Sequence, residues 1–152
     1  MTPTDHLDAE TSALRSLLAI LRQEQTLLTT GDVEAHAGLL EDKAAHIAEL
    51  SQLAEQRHRA LGNLGFPASE AGMQHWLALA TDSARAEWAT LMSLAGAAHE
   101  TNRVNGLLLG QLQARNRQAL AALGLGASSG LYGASGQADL ALHAARPALV
   151  TG

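Results

Sequence analysis

A leucine repeat near the start of the chain most constrains its fold. Between residues 4 and 29, Leu7, Leu14, Leu18, Leu21 and Leu28 recur at intervals of three, four or seven positions. This is the spacing of a heptad repeat, in which one stripe of a helix packs against another helix. Further apolar residues widen the stripe beyond a two-position seam, which favours a multi-helix bundle over a two-stranded coiled coil.

The rest of the chain up to about residue 123 also has helical patterns. Gly31 can close the first helix in a left-handed conformation, and Asp32 can cap the next, so the short break predicts an antiparallel helix pair. We expect a second helix over about residues 33–64, a short one near 69–77 capped by Ser69, and a last one over about 81–123. The predicted seam of the second helix consists of His36, Leu40, Lys43, Ile47, Leu50, Ala54, Arg57, Leu61 and Leu64.

The composition agrees with helices and separates the end of the chain from the rest. Apolar residues make up 47% of the chain and are mainly Leu and Ala, whereas aromatic residues, which favour strands, make up 3%. Residues 124–152 are rich in Gly and Ser, and such a stretch orders only at a high entropic cost. The predicted fold is therefore all-α: an elongated antiparallel bundle of three long helices and a short one at residues 1–123, followed by a flexible C-terminal tail at residues 124–152.

Charge, cysteine content and motifs argue against several classes of function. The net charge is −5, with ten basic residues scattered among fifteen acidic ones, which argues against nucleic-acid binding. The chain has no cysteine, and it has neither a nucleophile–base motif nor a phosphate-binding loop, so we expect no enzymatic activity and no cofactor. No apolar run approaches the roughly 20 residues that span a bilayer, and the first residues do not resemble a signal peptide. We therefore expect a cytoplasmic protein that does not insert directly into a membrane.

Seven histidines raise the question of a metal site. Glu55 and His58 have the E-x-x-H spacing of helical di-iron proteins, but such a site needs a second pair and two further carboxylates. Only one such pair is present, so the favoured interpretation is exposed polar side chains on long helices, with no metal bound.

Polar residues on the predicted seam of the last helix have two interpretations. Asn102, Asn105 and Asn116 lie among apolar residues there. The favoured interpretation is that buried asparagine fixes the helix register, and the alternative is that these amides bind the backbone of a peptide. Tyr132 lies in the glycine-rich tail, where little core is available, and is a candidate anchor for a groove on a partner.

Three parts of the chain resemble the FlgN-type flagellar export chaperones, and together they cover about residues 10–137. The N-terminal part extends from Glu24-Gln25 through Gly31-Asp32 to Arg57, and a third-helix motif follows Trp88. At the C-terminal end, Ala134-Ser135 stands where relatives often have a proline and an acidic residue. The third-helix motif is Asn102-x-x-Asn105-Gly106-Leu107-Leu108. The C-terminal motif, which contains Ala134-Ser135, is Leu131-Tyr132-Gly133-x-x-Gly136.

The resemblance implies a cytosolic chaperone of the flagellar type III export system. Such a protein binds the C-terminal segments of hook–filament junction proteins of the FlgK and FlgL types, keeps them unassembled and delivers them to an export gate protein of the FlhA type. The resemblance assigns gate docking to Tyr132 and client binding to the C-terminal helical region. The candidate client-binding residues are Asn105, Leu109, Leu112, Asn116, Leu120 and Leu123.

A second class of function stays open on the same residues. The apolar seams could pair two copies of the chain, which would make the protein a self-associating helical scaffold or adaptor with no export role. That hypothesis predicts a homodimer whose interface buries Leu109 and Leu112.

Overall fold

The computed structural model describes residues 2–124, which are helical almost throughout. A short 3-10 helix (Pro3–His6) leads into α1 (Leu7–Thr30), which is followed by α2 (Val33–Asn63), α3 (Glu70–Leu77) and α4 (Asp82–Ala122). No strand occurs within this part of the chain. The all-α prediction is confirmed, and the helix limits agree closely with the expected ones. Apart from Gly124, the predicted tail lies outside the described residues.

The predicted helix caps form. Gly31 has a φ of 75°, in the left-handed region, and ends α1. The side chain of Asp32 accepts a hydrogen bond from the backbone N–H of Ala35 at 3.0 Å, which caps α2. In the same way Ser69 caps α3 by accepting from the N–H of Gly72 at 3.3 Å. Each cap satisfies a backbone group that the helix itself leaves without a partner.

The chain divides into two units, with the boundary between Leu109 and Gly110. The first unit holds α1, α2, α3 and α4 up to Leu109, and it contains the hydrophobic core. The described residues of the second unit are the last turns of α4 and the two residues that follow them. No helix among residues 2–124 is both long enough and apolar enough to cross a membrane.

The core of the first unit is centred on α1. The predicted leucine stripe of α1 is buried, and Trp88 of α4 is 5% exposed, so both take part in the core. Residues from all four helices contribute: Leu7, Leu14, Leu17, Leu18, Leu21, Leu61, Met73, Leu77, Trp88, Leu91 and Ala98.

The predicted seam of α2 is partly wrong. Leu40 and Ile47 are each 46% exposed, whereas Leu39 is buried. Lys43 and Arg57 bind glutamates of α1, and the face of α2 that packs inward is centred on them and on Leu39 and Leu61. Leu40 and Ile47 lie at one edge of that face, where Ile47 lines a pocket together with Leu17 and Leu21 of α1. Leu64, at the end of the predicted seam, is also exposed, at 48%.

Candidate functional site

A cluster around the buried Arg57 joins α1, α2, α3 and α4. Arg57 and Glu10 are 3% and 4% exposed, and Arg57 Nε donates to Glu10 Oε1 at 2.9 Å. Arg57 Nη2 donates to Glu70 Oε1 at 3.0 Å, and the guanidinium carbon lies 4.7 Å from the centroid of the Trp88 ring. The arrangement combines a buried ion pair with a cation–π contact, both of which favour a charged, planar arginine.

The histidine of the E-x-x-H pair belongs to the edge of this cluster. His58 Nε2 lies 3.1 Å from Glu70 Oε1. Within residues 2–124, no group of three or more His, Asp or Glu side chains is arranged to hold a metal ion.

A second buried cluster surrounds Glu24 of α1, which is 4% exposed. Its carboxylate accepts hydrogen bonds from Lys43 Nζ at 3.0 and 3.2 Å and from Asn105 Nδ2 at 2.7 Å, and it lies 3.2 Å from His36 Nε2. Burial raises the pKa of Glu24, but the hydrogen bonds from Asn105, Lys43 and His36 and the positive charge of Lys43 together outweigh it, so this pKa lies below its usual value. Folding therefore favours the charged form of Glu24, which is paired with the ammonium group of Lys43.

Asn105 connects α4 to this cluster. The side chain is 2% exposed, and its amide nitrogen also donates to the carbonyl oxygen of Leu21 at 2.8 Å. Its Oδ1 is buried without a hydrogen-bond partner in the described part of the chain. Asn105 thus lies inside the first unit, as the register interpretation predicts, whereas Asn102 and Asn116 are exposed.

The remaining predicted site residues lie near the end of α4 or beyond it. Leu109, the last residue of the first unit, is partly buried. In the second unit Leu112 is partly buried, while Leu120 and Leu123 are 45% and 72% exposed. The predicted docking residue Tyr132 lies outside the described residues.

Two buried acids, Glu10 and Glu24, are not predicted from the sequence. Both lie beside the leucine seam of α1, at the heptad position that Leu17 also occupies, and they are two heptads apart. Their partners Arg57 and Lys43 are also two heptads apart on α2. This matched spacing of acids and bases on two antiparallel helices is the signal that could have identified both pairs.

Comparison with known proteins gives one consistent result. The model of the FlgN protein family matches residues 1–139. The flagella synthesis protein FlgN of Yersinia enterocolitica serotype O:8 is 33% identical over 135 residues, which are 88% of this chain and 86% of that protein. The flagella synthesis protein FlgN of Proteus mirabilis is 30% identical over 142 residues, 92% of each chain. No solved structure shows significant similarity to the chain.

Proposed function

This chain belongs to the FlgN family, and from that premise we propose that it is a cytoplasmic chaperone of flagellar protein export without enzymatic activity. It binds the C-terminal segments of FlgK- and FlgL-type junction proteins, keeps them unassembled and delivers them to an FlhA-type export gate. Support comes from the relatives, which are named as flagella synthesis proteins and align along most of their length.

The observation that carries the proposal is the apolar exposure at the C-terminal end of α4. No side chain from Gly106 to Gly124 is buried, although this segment contains several leucines. Leu107, Leu120 and Leu123 are 57%, 45% and 72% exposed. Exposed apolar positions on a helix are characteristic of a surface that receives another helix. A junction-protein segment that becomes helical only on assembly exposes a complementary apolar stripe beforehand, and the chaperone covers it.

Within α4 we assign client contact to two partly buried leucines and two exposed ones. Leu109, Leu112, Leu120 and Leu123 contact the client, and the exposed Asn116 offers an amide to the client backbone. Asn105 has a different role, because its amide nitrogen is already bonded to α1. It holds α4 in place just before the client-binding segment and does not itself contact the client. Tyr132 contacts the export gate.

The test is binding of a peptide from the C-terminus of a FlgK-type protein, measured by isothermal titration calorimetry on the full chain. Leu120→Ser/Leu123→Ser should weaken binding about tenfold or more, since each such side chain contributes on the order of 1 kcal/mol or more at an interface. The matched control is Leu79→Ser, because Leu79 is 80% exposed but lies outside α4. Equal affinity for both variants would refute the assignment of the client-binding segment.

Two further measurements distinguish gate docking from client binding and the chaperone hypothesis from the scaffold hypothesis. Tyr132→Ala should lower the affinity for the gate protein and leave the affinity for the client peptide unchanged. Analytical ultracentrifugation tests the scaffold hypothesis. A stable homodimer that is abolished by Leu109→Ser/Leu112→Ser, together with no binding of the client peptide, would favour a self-associating scaffold instead.

A further inference from the structure

Helix α2 carries an apolar stripe along one side, beside the face that packs on α1. Its members recur at alternating intervals of four and three positions, which is the spacing of a heptad seam. The three largest are well exposed: Val33 at 56%, and Leu40 and Ile47 at 46% each. The whole stripe consists of Val33, Ala37, Leu40, Ala44, Ile47, Ser51 and Ala54, of which the first six are exposed and the last is partly buried.

A pocket opens beside this stripe within the first unit. Leu17 and Leu21 of α1 line it, together with Lys43 and Ile47 of α2 and with Ala98, His99 and Asn102 of α4. Its volume is about 160 Å³. That is close to the roughly 150 Å³ of a cavity that holds a benzene molecule, so the pocket has room for one leucine or phenylalanine side chain. A stripe with an adjacent pocket matches knobs-into-holes packing of an added helix.

The charge along the stripe is acidic. Glu34, Glu41 and Glu55 each directly follow a stripe residue, so they line one edge of it, and all three are exposed. None of the three forms an ion pair with another residue among 2–124. Lys43 is the only Lys or Arg between Val33 and Glu55, and its ammonium group is bonded to Glu24. A partner with Lys or Arg beside its own apolar seam would therefore find unpaired carboxylates here.

We propose that the α2 stripe is a second protein-binding surface, which receives a basic amphipathic helix of a partner protein. The apolar seam of the partner packs on the stripe, one of its larger side chains enters the pocket, and its basic residues pair with the acidic edge. This surface lies in the first unit and does not depend on the client-binding proposal for α4. The competing occupant is a second copy of the chain, but two-fold pairing along α2 would bring the acidic edge close to its own copy.

The test uses a synthetic helical peptide of four heptads, with Leu at the seam positions and Lys at the flanking positions. One control peptide has Glu in place of Lys, and another has the same composition with the leucines dispersed. Binding to the full chain is followed by calorimetry. The Lys peptide should bind saturably, and the two control peptides should bind at least tenfold more weakly.

Variants of the chain locate the peptide. Leu40→Ser/Ile47→Ser should weaken binding of the Lys peptide about tenfold or more, whereas Leu79→Ser should leave it unchanged. Both stripe positions are already exposed, so the double variant should remain folded, and circular dichroism checks this. Replacing the three edge glutamates by glutamine should weaken binding and reduce its dependence on salt.

Several results would overturn the proposal. No binding of the Lys peptide, equal binding of the dispersed peptide, or unchanged affinity of the double variant would each do so. A concentration-dependent dimer of the unmodified chain that Leu40→Ser/Ile47→Ser abolishes would assign the stripe to a second copy instead. Because none of these measurements involves a junction-protein peptide, their outcome is independent of the client-binding test.

Discussion

The buried pair Arg57–Glu10 gives the sharpest energetic prediction. Arg57→Leu removes the positive partner that the Glu10 carboxylate faces at 2.9 Å, with both residues less than 5% exposed. Leaving one charge of a buried pair without its partner costs about 3–5 kcal/mol. The change also removes the contact with the Trp88 ring, which is worth up to about 2 kcal/mol when desolvated. We therefore expect a loss of about 4 kcal/mol or more, a large part of the roughly 5–15 kcal/mol stability of a typical domain.

The double variant Glu10→Leu/Arg57→Leu tests the reasoning behind that figure. Replacing both charges by apolar side chains removes the unpaired charge, and such replacements are often close to neutral. We expect the double variant to lose only about 1–2 kcal/mol, so that the second mutation restores stability. Urea unfolding followed by tryptophan fluorescence measures the unmodified chain, the single variants Glu10→Leu and Arg57→Leu, and the double variant, and Trp88 is a local reporter. If the double variant were as unstable as the sum of the single ones, the two residues would not be coupled and the argument would fail.

Three further predictions address the Glu24 cluster and two glycines. Because the pKa of Glu24 is lowered by folding, its charge contributes stability that is present above the pKa of the unfolded chain, about 4.3, and is lost as pH falls through the folded value. Glu24→Gln should thus lower the free energy of unfolding by about 2 kcal/mol at pH 7 and by less below pH 4. Urea unfolding at both pH values checks this, and a loss that does not depend on pH would contradict it. Gly72→Ala should lower the stability by about 3 kcal/mol in thermal unfolding, because a Cβ would overlap the carbonyl oxygen of Pro67. The control is Gly96→Ala, which should not destabilise the protein because a Cβ at Gly96 meets open space. Gly31→Ala should cost about 1 kcal/mol in the same assay because of its positive φ, and a neutral result would mean that the turn relaxes.

The sequence predicts the helices well because their signals are local. The heptad leucines of α1 and the caps at Gly31, Asp32 and Ser69 depend only on neighbouring residues, and all of them appear as expected. The inward-facing side of α2 was predicted less well. Its apolar residues are spread around the helix, so hydrophobicity alone cannot distinguish Leu39 from Leu40. Pairing with α1 decides between them, and that pairing depends on residues far apart in the chain.

The candidate site is likewise predicted only in part from the sequence. The apolar positions of α4 can be identified from spacing, and Leu120 and Leu123 are exposed, which suits a binding surface. The exposure of each position cannot be identified that way, because it depends on contacts between residues far apart in the chain. Asn105 lies opposite Leu21 and Glu24 and is buried, whereas Asn116 is exposed although it belongs to the same sequence pattern.

The two buried ion pairs explain how a bundle made largely of Leu and Ala selects one register. An apolar heptad seam is nearly unchanged by a slip of one heptad, since leucine replaces leucine. With Glu10 opposite Arg57 and Glu24 opposite Lys43, a slip of one heptad would bring Glu10 opposite Leu50. That arrangement would bury a carboxylate without a partner, at a cost of several kcal/mol. The two pairs therefore distinguish the observed register from one that is shifted by a heptad.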